Sequence, residues 1–111
     1  MKIVESYLEK GWGDSVDNPK LEDIKTAITE TQKMDDEHGA FWVGVFDEND
    51  KEVVLEVSKN LDLKLILDPE NLDPDTFNEN KSKAANWESV LGKYELLLNG
   101  KVDELKELMN K

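Results

Sequence analysis

Carboxylates offer the most chemistry in this sequence, and they occur in short groups beside breaks in the hydrophobic pattern. Such side chains act as acid–base groups, as ligands of hard cations and as contacts for basic proteins. Each group falls on a predicted loop or helix end, where binding residues are commonly presented. Three groups stand out and a fourth is looser: Asp14 with Asp17; Asp35, Asp36 and Glu37; Asp47, Glu48 and Asp50 with Glu52; and Asp68, Glu70, Asp73 and Asp75.

The spacing of these carboxylates does not match a calcium-binding loop. Such a loop needs ligands at fixed positions and a glycine at the sixth. The segment 47–52 has Lys51 at a ligand position and lacks the glycine, and the segment 73–78 fails in the same way. One histidine and no cysteine leave few ligands for a transition metal. We therefore expect no metal and no cofactor.

The residue types needed for nucleophilic catalysis are also scarce. The chain has no cysteine, no Gly-x-Ser-x-Gly turn and no glycine-rich phosphate loop. Its one histidine, His38, follows three acids and precedes Gly39, which indicates a helix end rather than a cleft. We expect the protein not to be an enzyme. A carboxylate-based hydrolase remains an alternative, because 26 acidic residues offer many pairs.

The balance of charge indicates the kind of partner. The 26 acidic residues face 14 basic ones, all of them lysine, so the net charge is -12. A surface of this sign repels nucleic acid and anionic membranes and attracts basic proteins. Trp12 lies between two glycines and is a candidate anchor, although a lid over the end of the core is the competing interpretation. We predict partner contacts at Trp12, Asp14, Asp17, Asp35, Asp36, Glu37, Asp47, Glu48 and Asp50.

These residues must be positioned by a single small domain, expected to span residues 1–111. The longest apolar run, residues 40–46, is too short to cross a membrane, and the first residues do not indicate a signal peptide. The absence of cysteine fits a reducing compartment, so a cytoplasmic location is expected.

Alternating hydrophobic residues predict four strands. In the second of them, Phe41, Val43 and Val45 lie on one face and Trp42 and Phe46 on the other, so we expect both faces to be largely covered. In the third, Glu52 and Glu56 are expected to point outward. The strands are predicted at 2–9, 40–46, 52–58 and 61–67, with loops at 14–18 and 68–83.

Apolar residues at helical spacing predict three helices. The first is expected to be capped by Asn18, to have Pro19 in its first turn and to end before Gly39. The second has an apolar stripe from Trp87 to Leu98, with Asn86 as cap and Gly100 as stop. A short terminal helix follows from Val102. The predicted order is β-α-β-β-β-α-α, an α+β two-layer sandwich with a mostly antiparallel sheet of about four strands.

A small, acidic, cysteine-free α+β chain of this kind resembles the immunity proteins that bacteria carry against their own polymorphic or contact-dependent toxins. The segments that carry the resemblance are the turn 11–13, the helix start 18–24 and the strand 40–46. It implies a protein that binds a secreted nuclease or other toxic domain and blocks its active site by contact. The alternative is a regulatory or scaffold module that uses the surface of the last two helices.

Overall fold

The computed structural model describes residues 2–67 and 78–109, which form an α+β fold with one antiparallel sheet and helices packed against it. The strands of this part of the chain are β1 (Ile3–Lys10), β2 (Ser15–Asp17), β3 (Ala40–Asp47), β4 (Glu52–Ser58), β5 (Asp62–Leu67) and β6 (Asn78–Lys83). The helices are α1 (Leu21–Lys33), α2 (Trp87–Leu98) and α3 (Val102–Met109).

The sheet has the order β2-β1-β3-β4-β5-β6, and every neighbouring pair is antiparallel. β1 and β2 form a hairpin, and β3 to β6 follow one another as a meander. α1 carries the chain from the edge strand β2 back to β3, beside β1. The register aligns Leu8, Val43, Leu55 and Leu65 in one row across four strands.

The hydrophobic core lies between this side of the sheet and the helices. The four leucine and valine residues of that row are fully buried, as are Ile24 of α1, Tyr94 of α2 and Leu105 of α3. The ring of Tyr94 stacks on Phe41 with centroids 5.2 Å apart, and its hydroxyl donates to the Leu55 carbonyl oxygen at 2.9 Å. The predicted inward face of β4, with Val53, Leu55 and Val57, is confirmed.

The helix ends follow the sequence signals in one case and not in the other. Asn86 caps α2 by accepting the Ser89 backbone N–H at 2.8 Å, and Gly100 follows the helix with a positive φ of 74°, as predicted. The predicted cap of α1 was wrong. Asn18 has a left-handed φ of 51° and its N–H donates to the Ser6 carbonyl oxygen, so it serves the turn after β2. The α1 start is closed by Asp23, which accepts the Lys20 N–H at 2.8 Å.

The predicted sheet was too small and its order was incomplete. The described residues form six strands rather than about four, and the element order is β-β-α-β-β-β-β-α-α. Residues 15–17 and 78–83, expected in loops, are the edge strands β2 and β6. The rest of the second loop, with Pro69, Pro74 and Phe77, lies outside the described residues. No helix in the described ranges has the length and hydropathy needed to cross a bilayer.

Candidate functional site

The face of the sheet opposite the helices carries an aromatic and acidic surface, which we call the open face. Its residues alternate along β1, β3, β4 and β5 with those of the core, and none of them belongs to the helix-packed core cluster. The open face consists of Glu5, Tyr7, Glu9, Trp42, Gly44, Phe46, Glu52, Val54, Glu56, Asp62, Lys64 and Ile66.

The centre of the open face is built around a glycine. The ring of Tyr7 lies over Gly44, its partner in the register, and occupies the space that a side chain there would take. Phe46 packs beside it, with ring centroids 6.0 Å apart. Val54 comes next in the same row and is only 7% exposed, although it lies outside the core cluster. The result is a fixed apolar centre.

Carboxylates surround this centre and are oriented by the aromatic residues. The Tyr7 hydroxyl donates to Glu52 Oε1, and the indole N–H of Trp42 donates to Glu9 Oε2 at 3.0 Å. The pKa of the Tyr7 phenol is raised well above its ordinary value. Burial of the ring is the largest cause, and the bond to Glu52 and the charge of that carboxylate add to it. Glu56 lies opposite Trp42 in the register, and Glu52 lies opposite Phe46. The aromatic centre thus has an acidic border on strands β1 and β4.

The structure separates the residues predicted as partner contacts. Trp12 and Asp14 lie in the β1–β2 hairpin, and residues 35–37 lie in the α1–β3 connection at the same end of the sheet, where Gly11 N–H donates to the Ala40 carbonyl oxygen. Asp17 lies on the edge strand β2, opposite Tyr7. The others are in or beside the β3–β4 turn at the opposite end: Asp47, Glu48 and Asp50.

Two of the predicted contact residues stabilise turns. Asp35 Oδ1 accepts the backbone N–H of His38 at 2.8 Å and lies 3.0 Å from its Nδ1. The backbone bond, with the ring bond second, lowers the pKa of the Asp35 carboxyl. Asp47 Oδ1 accepts the N–H groups of Asn49 and Lys51 at 2.8 and 3.0 Å. Both side chains therefore fix local backbone. The fourth acidic group, Asp68, Glu70, Asp73 and Asp75, lies outside the described residues.

Hollows at the surface are open rather than enclosed. One of about 430 Å³ lies between the β1–β2 turn and Trp42, and one of about 530 Å³ lies beside Glu56, Asp62 and Lys64. Within residues 2–67 and 78–109, no group of three or more acidic, histidine or cysteine side chains is placed to hold a metal ion.

The aromatic residues of the open face were missed as functional candidates because β3 was expected to be covered on both sides. On that side Trp42 and Phe46 are partly exposed, while Gly44 between them is buried. The outward direction of Glu52 and Glu56 was predicted correctly from the alternation in β4. Every described helix packs on the same side of the sheet. Asking whether three predicted helices can cover both faces of the sheet would have identified these aromatic residues as candidates.

The apolar stripes of the last two helices are used in the core, where Val90, Leu97 and Met109 are buried. Leu108, at 39%, is the one large hydrophobic side chain of these helices that is exposed in the described part of the chain. Five further apolar side chains of these helices are partly buried against the core: Trp87, Leu91, Leu96, Leu98 and Val102.

Comparison of the chain with models of known protein families, with curated protein sequences and with solved structures found no match.

Proposed function

We propose that this protein is a non-enzymatic acidic binding protein that uses the open face to cover a basic surface of another protein. The most specific form of the proposal is an immunity-type inhibitor that neutralises a cognate bacterial toxin domain, such as a basic nuclease domain. The observation that carries it is the open face itself, an apolar aromatic centre bordered by carboxylates on the side of the sheet where none of the described helices packs.

The composition of the open face supports a protein partner. Energetically dominant interface residues are enriched in tryptophan and tyrosine and cluster at the centre of the contact. Tyr7, Trp42 and Phe46 are partly exposed and are held by contacts within the face. Little side-chain freedom is lost when such residues bind, because they are already ordered.

The charge of the open face supports a basic partner. Glu5, Glu9, Glu52 and Glu56 lie on it and outnumber the one lysine of its β1, β3, β4 and β5 residues, Lys64, which is opposite Glu56. The whole chain has a net charge of -12. Complementary charge accelerates association and excludes acidic competitors. The same charge disfavours nucleic acid and anionic membranes as partners.

The test is binding to the C-terminal domain encoded by the neighbouring gene, since an immunity gene lies beside its toxin gene. The two are co-purified and their affinity is measured by calorimetry at several salt concentrations. Phe46→Ala and Glu52→Gln, two changes on the open face, are each expected to weaken binding by about tenfold or more. Circular dichroism verifies that each variant is folded.

Glu107→Gln is the matched control, because it removes the same charge from an exposed position on α3. It is expected to change the affinity by less than about twofold, as exposed charges remote from a contact contribute little. The alternative location, the β3–β4 turn, is tested with Glu48→Gln. The proposal is contradicted if no basic partner binds, or if Glu48→Gln weakens binding and the open-face variants do not.

A further inference from the structure

The hollow of about 430 Å³ beside Trp42 is a distinct part of the protein surface. It lies where β1, the β1–β2 turn and β3 meet, and it is continuous with the open face through Trp42 and Glu9. Its walls include the carboxylates Glu9 and Asp14, the indole of Trp42 and the turn glycines Gly11 and Gly13. A Cβ on Gly13 would meet no atom within 4 Å, so this glycine leaves open space, whereas a Cβ on Gly11 would collide with the His38 carbonyl oxygen.

Both carboxylates of the hollow are held by indole groups. Trp42 Nε1 donates to Glu9 Oε2 at 3.0 Å, and Trp12 Nε1 donates to Asp14 Oδ2 at 3.2 Å. Each of these bonds engages one carboxylate oxygen and restrains the side chain. A tryptophan N–H is a donor only, so it orients the carboxylate without neutralising its charge.

The lysine in the wall does not cancel this negative charge. The ammonium group of Lys10 lies 2.5 Å from Glu30 Oε1 of α1, and its side chain is only 10% exposed. Its charge is therefore balanced by a carboxylate that does not line the hollow. The charge that the hollow presents to solvent is that of Glu9 and Asp14.

An indole wall next to two restrained carboxylates has the chemistry that recognises a guanidinium group. The planar cation stacks on an aromatic face and its N–H groups donate in pairs to carboxylate oxygens. We propose that this hollow receives an arginine side chain of the basic partner. The inference rests on the proposed function, because it assigns one contact within that interface.

The test uses the three tryptophans as separate probes. The indole N–H signals of Trp12, Trp42 and Trp87 are followed by NMR while acetyl-Gly-Arg-Gly-amide is added to the full chain. The Trp42 signal is expected to shift with a dissociation constant of about 1 to 10 mM, a range suited to a single side chain. Trp87, at the start of α2, is the internal reference and is expected to remain in place.

Charge is separated from shape by a second peptide and by variants. The same peptide with citrulline, which has nearly the same shape and no charge, is expected to leave Trp42 unshifted. Glu9→Gln keeps an oxygen that accepts the indole N–H and removes the charge, so the arginine peptide is expected to bind about fivefold more weakly or worse. Glu107→Gln on α3 makes the same charge change far from the hollow and is expected to leave the affinity unchanged.

Three results would each overturn the inference: no shift of Trp42 with the arginine peptide, equal shifts with the citrulline peptide, or unchanged affinity in Glu9→Gln. Its failure is distinguishable from failure of the proposed function. The partner experiment uses Phe46 and Glu52, which do not line the hollow, so loss of partner binding in those variants stands even if the hollow does not take arginine.

Discussion

Thr31 is a buried polar residue in the apolar face of α1. Its side chain is 0% exposed, and its hydroxyl oxygen finds no hydrogen-bond partner within the described part of the chain. Burial of an unpaired hydroxyl costs about 1 to 3 kcal/mol in proteins. Thr31→Val replaces the hydroxyl with a methyl group of similar size, so we expect the free energy of unfolding to rise by about 1 kcal/mol in urea denaturation.

Thr31→Ser is the matched comparison, because it keeps the hydroxyl and removes the methyl group. It is expected to lower the free energy of unfolding by about 1 kcal/mol, the value for one buried methyl group. A valine variant less stable than the native protein would show that the hydroxyl has a partner.

Tyr94 is the opposite case, a buried hydroxyl with a partner. Its O–H donates to the Leu55 carbonyl oxygen while the ring stacks on Phe41. Tyr94→Phe keeps the ring and removes the donor, so we expect a loss of about 1 kcal/mol at pH 7, measured by urea denaturation. Phe41→Leu, which removes the stacked ring, is expected to cost more because it also leaves a cavity.

Tyr94 and Tyr7 contribute to the response of stability to alkaline pH. Burial raises the pKa of Tyr94 well above its ordinary value, and burial with the bond to Glu52 raises that of Tyr7. Above pH 10 the unfolded chain loses phenol protons that the folded chain retains. The free energy of unfolding should therefore be independent of these groups below pH 10 and should fall above it, by about 1.4 kcal/mol per pH unit for Tyr94.

Phenylalanine variants show how much each tyrosine contributes to this fall in the free energy of unfolding. Each variant removes one phenol and leaves every other titratable group in place. Unfolding is measured between pH 8 and pH 11 for the native protein, Tyr94→Phe and Tyr7→Phe. Tyr94→Phe is expected to remove the larger part, since Tyr7 is partly exposed and solvent reduces its effect. A slope that is the same in all three proteins would show that neither phenol is protonated more strongly in the folded state.

At the scale of the elements, β1 and β3 are matched through the pair Tyr7 and Gly44. A side chain on Gly44 would collide with the Tyr7 ring, so the aromatic residue fills the place that glycine leaves empty. Gly44→Ala is expected to displace the ring, break its bond to Glu52 and lower the free energy of unfolding by about 1 to 3 kcal/mol.

A double-mutant cycle measures this pairing. In the background Tyr7→Ala the space above Gly44 is vacant, so Gly44→Ala is expected to cost much less there, with a coupling of about 1 kcal/mol or more between the two positions. Additive effects of the two changes on the urea midpoint would show that the ring does not depend on the glycine.

The elements that the sequence predicted are those with a buried face. One side of each of these elements packs in the core, so apolar residues recur every second residue in β3, β4 and β5 and at helical spacing in α2. Their positions were predicted to within a few residues. β2 and β6 have no such pattern. β6 reads Asn-Glu-Asn-Lys-Ser-Lys and pairs with β5 through backbone hydrogen bonds, which leave no periodicity in the sequence. Lysines suit such an edge strand because they oppose pairing with another chain.

The open face was only partly predictable for a related reason. The alternation of apolar and polar residues predicts which side chains share the side away from the core: Trp42, Phe46, Glu52 and Glu56. It does not predict whether a second layer covers that side. Coverage depends on where three helices pack, and all of the described ones pack on the same side. The carboxylates predicted in loops stay a prediction as partner contacts. Two of them, Asp35 and Asp47, also accept backbone N–H groups of their own turns.

For the whole molecule, the net charge of -12 opposes the compact state. Exposed ion pairs such as Lys2 with Glu48, at 3.8 Å, contribute little to stability. The partly buried Lys10–Glu30 pair is screened less by salt than surface charges are. Added salt should therefore weaken the repulsion among surface carboxylates more than it weakens the attraction within ion pairs. We expect the melting temperature to rise by about 4 °C or more between 10 and 300 mM NaCl, which corresponds to about 1 kcal/mol.

Tetramethylammonium chloride at equal ionic strength is the control for specific ion binding, since a bulky cation screens charge without being coordinated. An equal rise with both salts is expected if repulsion among surface carboxylates is the cause. A melting temperature that falls or stays constant in NaCl would mean that attractive pairs outweigh the acidic excess. The negative field invoked to attract a basic partner would then be too weak for that role, because long-range steering and self-repulsion arise from the same charges.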